Sequence, residues 1–236
     1  MKKLALLLFM LPILNACKKE IKAPSEPPLL TVTDVDGNTY KTIKIGEQIW
    51  MAENLRTTHY RGGEKEPIEN GNQVAYNWTT ANTGAYCDYD NNTKNAKFYG
   101  HLYNWYAVTN PKEIAPKGWH VPTQLEFEAL YTYLANNNTL NSLQISNALR
   151  EEGTLYWDNN NSATNSSGFT ALATGLRNEY GTFSDLKTKA YFWSSVSVNT
   201  NAQFAYRGVI TSSSFSSNDK DFKSLGLSIR CIKDKN

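Results

Sequence analysis

The sequence predicts an α+β domain with short antiparallel strands, two main helices and long loops. Three observations support this prediction. Residues 31–52 have a β pattern around a tight turn, and two amphipathic helical stretches follow within residues 123–150. From residue 191 onward the chain returns to short strands. Because strands come first and last with helices between them, we expect the first and last strands to pair in one sheet.

The first stretch reads as a β-hairpin. Residues 31–35 and 39–45 flank the turn Asp36-Gly37-Asn38, and an Asp-Gly pair readily supplies the positive φ of a tight turn. Residues 48–52 form another short strand. The following residues, 53–83, are polar and contain turn signals, so they are expected to form a loop.

The middle of the chain opens with an acidic, Asn-rich loop around Cys87, over residues 84–95. The densely aromatic stretch Phe98–Val108 then predicts a short buried helix. The clearest helix begins at Thr123, which can form a capping box with Glu126. An apolar face repeats at helical spacing after it, and this face is expected to pack in the core: Phe127, Leu130, Tyr131 and Leu134.

The remaining elements are one helix and three strands. Residues 140–150 form a second amphipathic stretch, and residues 191–196 and 202–210 read as strands. In residues 225–232, alternate residues are apolar, with Ser228 and Arg230 between them. This alternation predicts a half-buried strand in which Cys231 points inward.

The N-terminus has the parts of an export signal. Lys2 and Lys3 precede an apolar run over residues 4–14, which is shorter than the about 20 residues that span a bilayer. The sequence Leu14-Asn15-Ala16-Cys17 resembles the lipobox of bacterial lipoproteins, which implies cleavage before Cys17. In such proteins the cysteine thiol carries a diacylglycerol, and its new amino group is acylated with a fatty acid such as palmitate.

These features divide the chain into three parts. We expect a signal peptide over residues 1–16, a lipidated Cys17 with a Pro-rich tether over residues 17–30, and one domain over residues 31–236. The expected location is the outer membrane, on its periplasmic or cell-surface side. An ordinary signal peptide, with a cysteine near the cut by coincidence, is the alternative.

Composition limits the classes of partner. The formal net charge is +2 and no cluster of Lys and Arg stands out, which argues against nucleic acid. Aromatic residues make up 12 % of the chain, with 14 Tyr and 6 Trp. Such a composition suits a loop-rich extracytoplasmic domain and a surface that recognises sugars or peptides.

Two cysteines remain after Cys17. Disulfides persist outside the cytoplasm, so Cys87 and Cys231 form a candidate bridge. It would close a loop of roughly 140 residues and contribute about 4 kcal/mol or more in the chain-entropy model. The alternative is two separate buried thiols.

The sequence contains no recognisable catalytic set. The three histidines, His59, His101 and His120, lack the short spacing of a zinc ligand pair, and the latter two are expected to be structural. Ser194 and Ser195 lack a Gly-x-Ser-x-Gly elbow, so backbone contacts are their expected role. We therefore expect a protein that is not an enzyme.

Calcium is the strongest cofactor candidate in the sequence, and it is weak. Asp88, Asp90 and Asn92 place oxygen ligands in one loop, and Ca²⁺ takes 6–8 such oxygens. The EF-hand pattern fails, since its Gly position holds Thr93 and its Glu position holds Tyr99. Asx-rich loops also form ordinary turns. The expectation is therefore no cofactor and no metal.

Several phrases together resemble the Fibrobacter succinogenes major paralogous domain family over roughly residues 31–234. They are Ile49-Trp50-Met51-Ala52-Glu53-Asn54-Leu55, Gly100-His101-Leu102-Tyr103-Asn104-Trp105-Tyr106-Ala107, Ala115-Pro116-Lys117-Gly118-Trp119-His120-Val121-Pro122-Thr123, Gly168-Phe169, Gly175-Leu176-Arg177, Phe192-Trp193-Ser194-Ser195 and Ser228-Ile229-Arg230-Cys231.

This resemblance implies a bacterial lipoprotein or secreted protein and carries no established activity. Many members have a cysteine where this chain has Ala115. If that cysteine usually pairs with the one in the final strand, Cys231 must here pair with Cys87 or stay reduced.

A more distant resemblance, carried by residues 121–127, is to the C-type-lectin-like fold of formylglycine-generating enzymes. It implies a mixed domain whose closing strand pairs with its opening one. Those oxidases need two cysteines close together, whereas Cys87 and Cys231 stand far apart in sequence. Their chemistry is therefore not expected here.

The expected function is a non-catalytic binding or adhesion module for a glycan or a cell-surface protein, displayed on a membrane by its lipid anchor. The alternative is a structural component of the cell envelope, or a subunit of a surface assembly.

Overall fold

The computed structural model describes residues 30–62, 66–72, 77–158, 162–198 and 203–235. The signal segment, Cys17 and the tether through residue 29 lie outside these ranges, so the predictions about them stay predictions. Within the described ranges, no helix combines the length and the apolar character needed to cross a bilayer.

Short strands and helices alternate along the chain, and the domain is α+β as predicted. The described strands are β1 (Thr31–Thr33), β2 (Thr39–Ile45), β3 (Gln48–Met51), β4 (His59–Tyr60), β5 (Glu66–Pro67), β6 (Glu69–Asn70), β7 (Ala85–Cys87), β8 (Leu102–Tyr103), β9 (Trp119–His120), β10 (Leu176–Arg177), β11 (Phe183–Ser184), β12 (Lys189–Ser197), β13 (Phe204–Thr211), β14 (Phe215–Phe222) and β15 (Ile232–Lys233). The described α-helices are α1 (Ala96–Tyr99), α2 (Trp105–Val108), α3 (Gln124–Asn138) and α4 (Ser142–Leu149).

The two ends of the domain meet in one antiparallel sheet of five strands, in the order β1-β2-β3-β15-β9. Trp50 of β3 lies opposite Ile43 on one side and opposite Ile232 on the other. Ile232 in turn lies opposite His120 of β9. This pairing confirms the expectation that the first and last strands share a sheet.

The predicted opening hairpin is confirmed, and its turn is held by a side chain. The Oδ1 atom of Asp34 accepts hydrogen bonds from the backbone N–H groups of Asp36 and Asn38, each at 2.9 Å. Gly37 has φ of 86°, which is the left-handed conformation that a residue without Cβ adopts at no steric cost. The turn therefore fixes the register of β1 on β2.

The two predicted helices pack on a second sheet, of order β12-β13-β14. α3 begins with the predicted capping box: the Thr123 side chain accepts from the N–H of Glu126, and the Glu126 carboxylate accepts from the N–H of Thr123 at 2.8 Å. On the predicted face of α3, Phe127, Leu130 and Leu134 are buried and Tyr131 is partly buried. α4 begins with a similar box between Asn141 and Gln144.

The predicted single helix over Phe98–Val108 is wrong. The chain forms two one-turn helices, α1 and α2, with β8 between them. Gly100 has φ of 74° and ends α1, and Asn104 caps α2 by accepting a hydrogen bond from the Ala107 N–H. A positive φ and an N-cap within five residues interrupt a helix even where every neighbour is aromatic.

The predicted half-buried strand over Leu225–Ile232 is also wrong in part. Only Ile232–Lys233 forms a strand, and residues 226–228 make isolated bridges to three separate segments. Ser228 and Arg230, expected on a solvent face, are buried together with the apolar residues. The segment crosses the interior with partners on every side, so alternation of residue type does not report exposure here. Cys231 is buried as expected.

The strands predicted over residues 191–196 and 202–210 correspond to β12 and β13. The third strand of that sheet, β14, was not predicted. Its sequence is rich in Ser, Asn and Asp, which are uncommon in strands. Contacts with α3 and α4 on one face hold it in place, and this support is not visible in local sequence.

A buried arginine ties three distant segments together at the centre of the domain. Arg230 is 0 % exposed, and its Nη2 donates to Asn54 Oδ1 at 2.6 Å. Its Nη1 donates to the Phe169 carbonyl, and Nη2 also reaches the Thr170 carbonyl at 3.3 Å. The loop after β3, the loop around Phe169 and the C-terminal segment are thereby joined.

Aromatic rings complete the environment of this cation. The guanidinium carbon lies 4.5 Å from the ring centroid of Phe169 and 5.1 Å from that of Phe192. Burial lowers the pKa of Arg230 to about 9, and the nearby Glu53 opposes that change. The group stays cationic at neutral pH, so its acceptors and ring faces must replace the water it has lost.

We predict that Arg230→Lys lowers the free energy of unfolding by about 3 kcal/mol or more, because a lysine cannot reach the three acceptors and leaves buried oxygens unpaired. Urea unfolding followed by tryptophan fluorescence measures this change. The control is Arg56→Lys at a half-buried position, where less than about 1 kcal/mol should be lost. Equal losses in the two variants would contradict the central role of Arg230.

Candidate functional site

A groove of about 160 Å³ opens beside α1 and the loop that follows β3. Three segments that are distant in sequence contribute to it: residues 52–56, residues 97–100, and a third segment that contributes Glu151, Tyr156, Thr170 and Leu172. The Arg230 network joins the first and the third of these segments. The groove is therefore built on the Arg230 network.

The floor of the groove contains Asn54, Gly100 and Thr170. The Asn54 side-chain amide donates to the Tyr99 carbonyl at 2.9 Å and holds the end of α1 against the floor. A Cβ atom on Gly100 would lie 2.7 Å from the Leu55 carbonyl oxygen, besides requiring a strained φ. Only glycine therefore lets α1 approach the floor this closely.

Aromatic side chains form one wall. Phe98 is 53 % exposed, because α1 directs the next residue, Tyr99, into the core. Tyr156 is half-buried and packs edge-on against Tyr99, with ring centroids 5.4 Å apart. Leu172 adds a half-buried aliphatic surface. The groove thus presents apolar faces that are supported from behind by buried residues.

Charges of both signs line the rim. Glu53 and Arg56 form an ion pair of 3.2 Å, and Glu53 also accepts from the Lys41 N–H at 2.9 Å. Burial raises the pKa of the Glu151 carboxyl. Lys97 contributes a further cation from α1. The rim therefore offers hydrogen-bond donors and acceptors without a single dominant charge.

Two other depressions differ in character. One, about 830 Å³, lies along α3, where Leu125 and Tyr133 project into solvent. Another, about 340 Å³, is lined by Trp119, His120 and Arg61. The groove at Phe98 is distinct from both because two aromatic side chains and two carboxylates converge on it.

The structure does not assemble the predicted calcium ligands. Asp88 is buried, and its two oxygens bind His101 Nδ1 at 2.8 Å and Asn72 Nδ2 at 2.6 Å. Asp90 is exposed, and the side chain of Asn92 caps a 3₁₀ turn by accepting from the Lys94 N–H. Among the described residues, no group of three or more His, Cys, Asp and Glu side chains is placed to hold a metal ion.

The predicted disulfide is wrong: Cys87 and Cys231 are both free and buried. Cys87 packs with Trp78 and Leu102, whereas Cys231 belongs to the cluster around Tyr103 and Ile229. The physical reason is that each thiol fills a separate apolar cluster. Burial also raises the pKa of both thiols, which disfavours the reactive thiolate.

Each of the three histidines contacts an aspartate through Nδ1. The separations from an aspartate oxygen are 2.7 Å for His59 and Asp36, 2.8 Å for His101 and Asp88, and 2.6 Å for His120 and Asp234. The ring of His120 is held by the carboxylates of Asp234 and Glu126. His101 lies in the loop before β8 and stacks near Tyr86, with centroids 4.6 Å apart, rather than within a helix.

The serines and the predicted capping glutamate have structural contacts. Ser194 Oγ accepts from the Val196 N–H at 3.1 Å, and Ser195 Oγ lies 3.4 Å from the Pro122 carbonyl oxygen. Glu126 combines its capping role with a contact of 3.0 Å to His120 Nε2. These contacts match the backbone-satisfying role that the sequence predicted for the serines.

Comparison with known families identifies the family of this chain. A family model described as the Fibrobacter succinogenes major domain matches residues 43–233. The chain belongs to this family. Four residues of the Arg230 network lie in the motif phrases that carry the family resemblance: Asn54, Phe169, Phe192 and Arg230 itself. Neither a curated protein nor a solved structure matches the chain significantly.

The sequence did not predict the groove residues that lie outside the motif phrases. Phe98 was expected inside a buried helix, and Tyr156 and Glu151 carried no signal because they lie in a loop of ordinary composition. An indirect signal existed at Gly100, since a glycine inside an aromatic run marks a chain reversal. Recognising that reversal would have moved Phe98 to the surface.

The pair formed by His120 and Glu126 leads to a prediction about pH. Hydrogen bonds with Glu126 and Asp234 raise the pKa of His120, and those with His120 and Thr123 lower the pKa of Glu126, although burial opposes each change. The raised pKa means that the folded state binds the His120 proton more tightly, so this stabilisation is lost as pH rises through the folded pKa. The lowered pKa of Glu126 means that its contribution to stability is lost as pH falls below the ordinary pKa of this carboxyl and through the folded pKa.

We therefore expect the pair to stabilise the domain most between about pH 4.5 and pH 6.5. Above this range, the free energy of unfolding of the wild type should fall by no more than about 1 kcal/mol relative to His120→Gln, because partly exposed groups are screened by solvent. Urea titrations at several pH values measure the difference. Parallel pH profiles for the two proteins would contradict the assignment.

Proposed function

We propose that this chain is a non-catalytic binding module that recognises a glycan in the groove at Phe98. The observation that carries the proposal is the exposed Phe98 ring beside Tyr156, with the carboxylates of Glu53 and Glu151 on the same groove. An aromatic surface stays exposed at a cost in free energy, and such surfaces are typical of recognition sites.

The chemistry of a sugar fits this arrangement. The C–H face of a pyranose ring can pack on an aromatic ring, and its hydroxyl groups can donate to carboxylates and accept from cations. The rim carries Glu53 and Glu151 against Arg56 and Lys97, so a ligand of strong single charge gains little there. An uncharged ligand with many hydroxyl groups can donate hydrogen bonds to the carboxylates and accept them from the cations at the same time.

A non-catalytic role is supported by how the candidate catalytic groups are used. His101 is buried and bound to Asp88, and His120 is held between Glu126 and Asp234. These contacts give each histidine a structural task away from the groove. The groove itself contains no histidine or cysteine among its described lining residues.

The proposal includes a lipid anchor at Cys17, following a signal peptide over residues 1–16. Its location is the outer membrane, on the periplasmic or cell-surface side, with no nucleic-acid partner. The sequence Leu14-Asn15-Ala16-Cys17 supports the anchor, and acyl chains contribute about 0.8 kcal/mol per buried methylene. A C-type-lectin-like fold is part of the proposal, and the pairing of β3 with β15 supports it.

A second candidate function is a subunit of a surface assembly or a structural component of the envelope. The supporting observation is the depression along α3, where Leu125 is 69 % exposed and Tyr133 of the same helix is 37 % exposed. Exposed aliphatic surface of this kind suits a protein contact. Cross-linking and pull-down from membranes would distinguish it, because a stoichiometric protein partner favours this function.

We predict that Phe98→Ala and Tyr156→Ala each weaken glycan binding by about tenfold or more, since truncating an aromatic anchor typically costs over 1 kcal/mol. The purified protein is first screened on a broad glycan array, and the affinity for each bound glycan is then measured by calorimetry. Tyr180→Ala is the matched control, because Tyr180 is 79 % exposed and lies outside the groove. An array without any bound glycan would count heavily against the proposal.

We also predict that Cys17→Ser prevents attachment to the membrane. Metabolic labelling with radioactive palmitate should mark the wild type and leave the variant unlabelled, and the variant should leave the membrane fraction on cell fractionation. Cys87→Ser provides the matched control, because that thiol is buried in the domain. Equal labelling of wild type and Cys17→Ser would refute the lipoprotein assignment.

A further inference from the structure

The helix α3 has a second apolar face, which lies away from the core. Leu125, Ala129 and Tyr133 follow one another at intervals of four residues, so they form one ridge on the side of the helix opposite its buried residues. Leu125 is 69 % exposed, Tyr133 is 37 % exposed, and Ala129 is exposed as well. The solvent side of an amphipathic helix normally carries polar residues, so this ridge is a candidate contact surface.

The ridge is one wall of the depression of about 830 Å³ along α3, which we call the α3 groove. The turn between β2 and β3 forms the opposite wall, through Glu47 and Gln48. Gln48 Nε2 donates to the Glu126 carbonyl at 2.9 Å. The Tyr133 ring packs on Gly46, where a Cβ atom would lie 2.7 Å from Tyr133 Cδ2. These two contacts hold the walls in a fixed relation, so the groove is formed before any partner binds.

The length of the α3 groove matches a short helix. Along α3 the lining residues run from Leu125 to Asn136, which corresponds to about 16 Å, or three helical turns. A partner helix with apolar residues at positions i, i+4 and i+7 can place them on either side of such a ridge. The shape of the groove therefore suits an amphipathic helix.

The charges on the α3 groove are mainly negative. The carboxylates of Glu47, Glu126 and Glu128 line it, and Lys235 is the one cation among its described lining residues. The Glu126 carboxylate is already committed to the capping box and to a histidine. Glu47 and Glu128 are exposed, and neither belongs to an ion pair between described residues. These two carboxylates can therefore attract a basic partner.

A second copy of this chain offers no helix of the required charge. Among the described residues, the two helices longer than one turn, α3 and α4, contain no Lys or Arg. Two copies of α3 packed on each other would bring Glu126 and Glu128 of both helices together without a basic residue on either. Such a juxtaposition of like charges is unfavourable. The occupant is therefore expected to be a different protein.

We propose that the α3 groove binds a basic amphipathic helix of another protein, about three turns long. The apolar residues of that helix pack on Leu125, Ala129 and Tyr133. Its Lys or Arg residues lie against Glu47 and Glu128. This inference rests on the second candidate function, a protein contact along α3, and adds the chemistry of the partner. It is independent of glycan binding at Phe98.

The experiment measures the binding of three synthetic peptides, each of about 14 residues, to the full chain. The basic peptide carries Leu and Ala on one helical face and Lys on the other. The acidic peptide has Glu in place of every Lys, and the permuted peptide has the basic composition in an order without an apolar face. Fluorescence anisotropy gives the affinities at about 0.15 M salt, where long-range attraction is screened. We expect the basic peptide to bind about tenfold or more tightly than either of the others.

Two variants with matched controls locate the binding surface. Leu125→Ser truncates the ridge and should weaken binding of the basic peptide by about fivefold or more. Its control is Leu155→Ser, at a residue that is 68 % exposed and outside the groove, and this change should leave the affinity unaltered. Glu128→Lys should weaken binding by about tenfold or more, whereas Glu152→Lys, at another exposed position outside the groove, should have no effect. Thermal unfolding of each variant verifies that it is folded.

Three results would overturn the proposal. They are the absence of binding by the basic peptide at millimolar concentration, equal affinity for the basic and acidic peptides, and equal effects of a variant and its control. If the basic and acidic peptides bind equally and Leu125→Ser weakens both, the basic partner is refuted and the protein contact of the second candidate function stands. Unchanged binding of the basic peptide in Phe98→Ala is expected and supports its assignment to the α3 groove.

Discussion

The buried guanidinium of Arg230 sets the constraint on which the rest of the domain depends. A cation removed from water is stable only when fixed acceptors replace its hydration, and those acceptors must sit at the reach of a planar fork. Here they are Asn54 Oδ1 and the carbonyls of Phe169 and Thr170, and the rings of Phe169 and Phe192 lie next to the guanidinium. Because these acceptors come from two stretches of chain that are both far from Arg230 in sequence, the network selects one arrangement of the loops. A hydrophobic residue could fill the same volume without that selectivity.

The C-terminal segment is the element that this constraint positions. Leu227 pairs with Tyr103, the Ile229 carbonyl accepts from the Leu55 N–H at 2.9 Å, and the Cys231 carbonyl accepts from the Met51 N–H at 2.9 Å. The segment thus forms backbone contacts with the α1–α2 region and with the end of β3 in turn. It closes the five-stranded sheet only after crossing the interior. Asn54 links the floor of the groove to the same network, because its side chain donates to the Tyr99 carbonyl and accepts from Arg230.

Local chemistry was predictable from the sequence, and long-range pairing was not. The Asp36-Gly37-Asn38 turn and the capping box of Thr123 and Glu126 follow from a few neighbouring residues, so they could be predicted. The exposure of Phe98 depends on where Gly100 directs the chain, and the burial of Arg230 depends on acceptors about 60 and 176 residues away in sequence. The disulfide prediction failed for the same reason: residue type and compartment say nothing about which apolar cluster receives each thiol. The depression lined by Trp119, His120 and Arg61 likewise depends on segments that only the fold brings together.

The floor and the rim of the groove differ in role, because the hydrogen-bonding capacity of Asn54 in the floor is used within the protein. Its amide nitrogen lies within hydrogen-bonding distance of the Tyr99 carbonyl, Thr174 Oγ1 and Ser228 Oγ, and its oxygen accepts from Arg230. A side chain with its bonding capacity committed inside the protein has little left to offer a ligand. In the proposed glycan site, specificity must therefore come from the rim, chiefly Phe98, Tyr156 and Glu151, which lie outside the motif phrases. A rigid floor with an independent rim would allow the ligand preference of that proposed site to change without disturbing the fold.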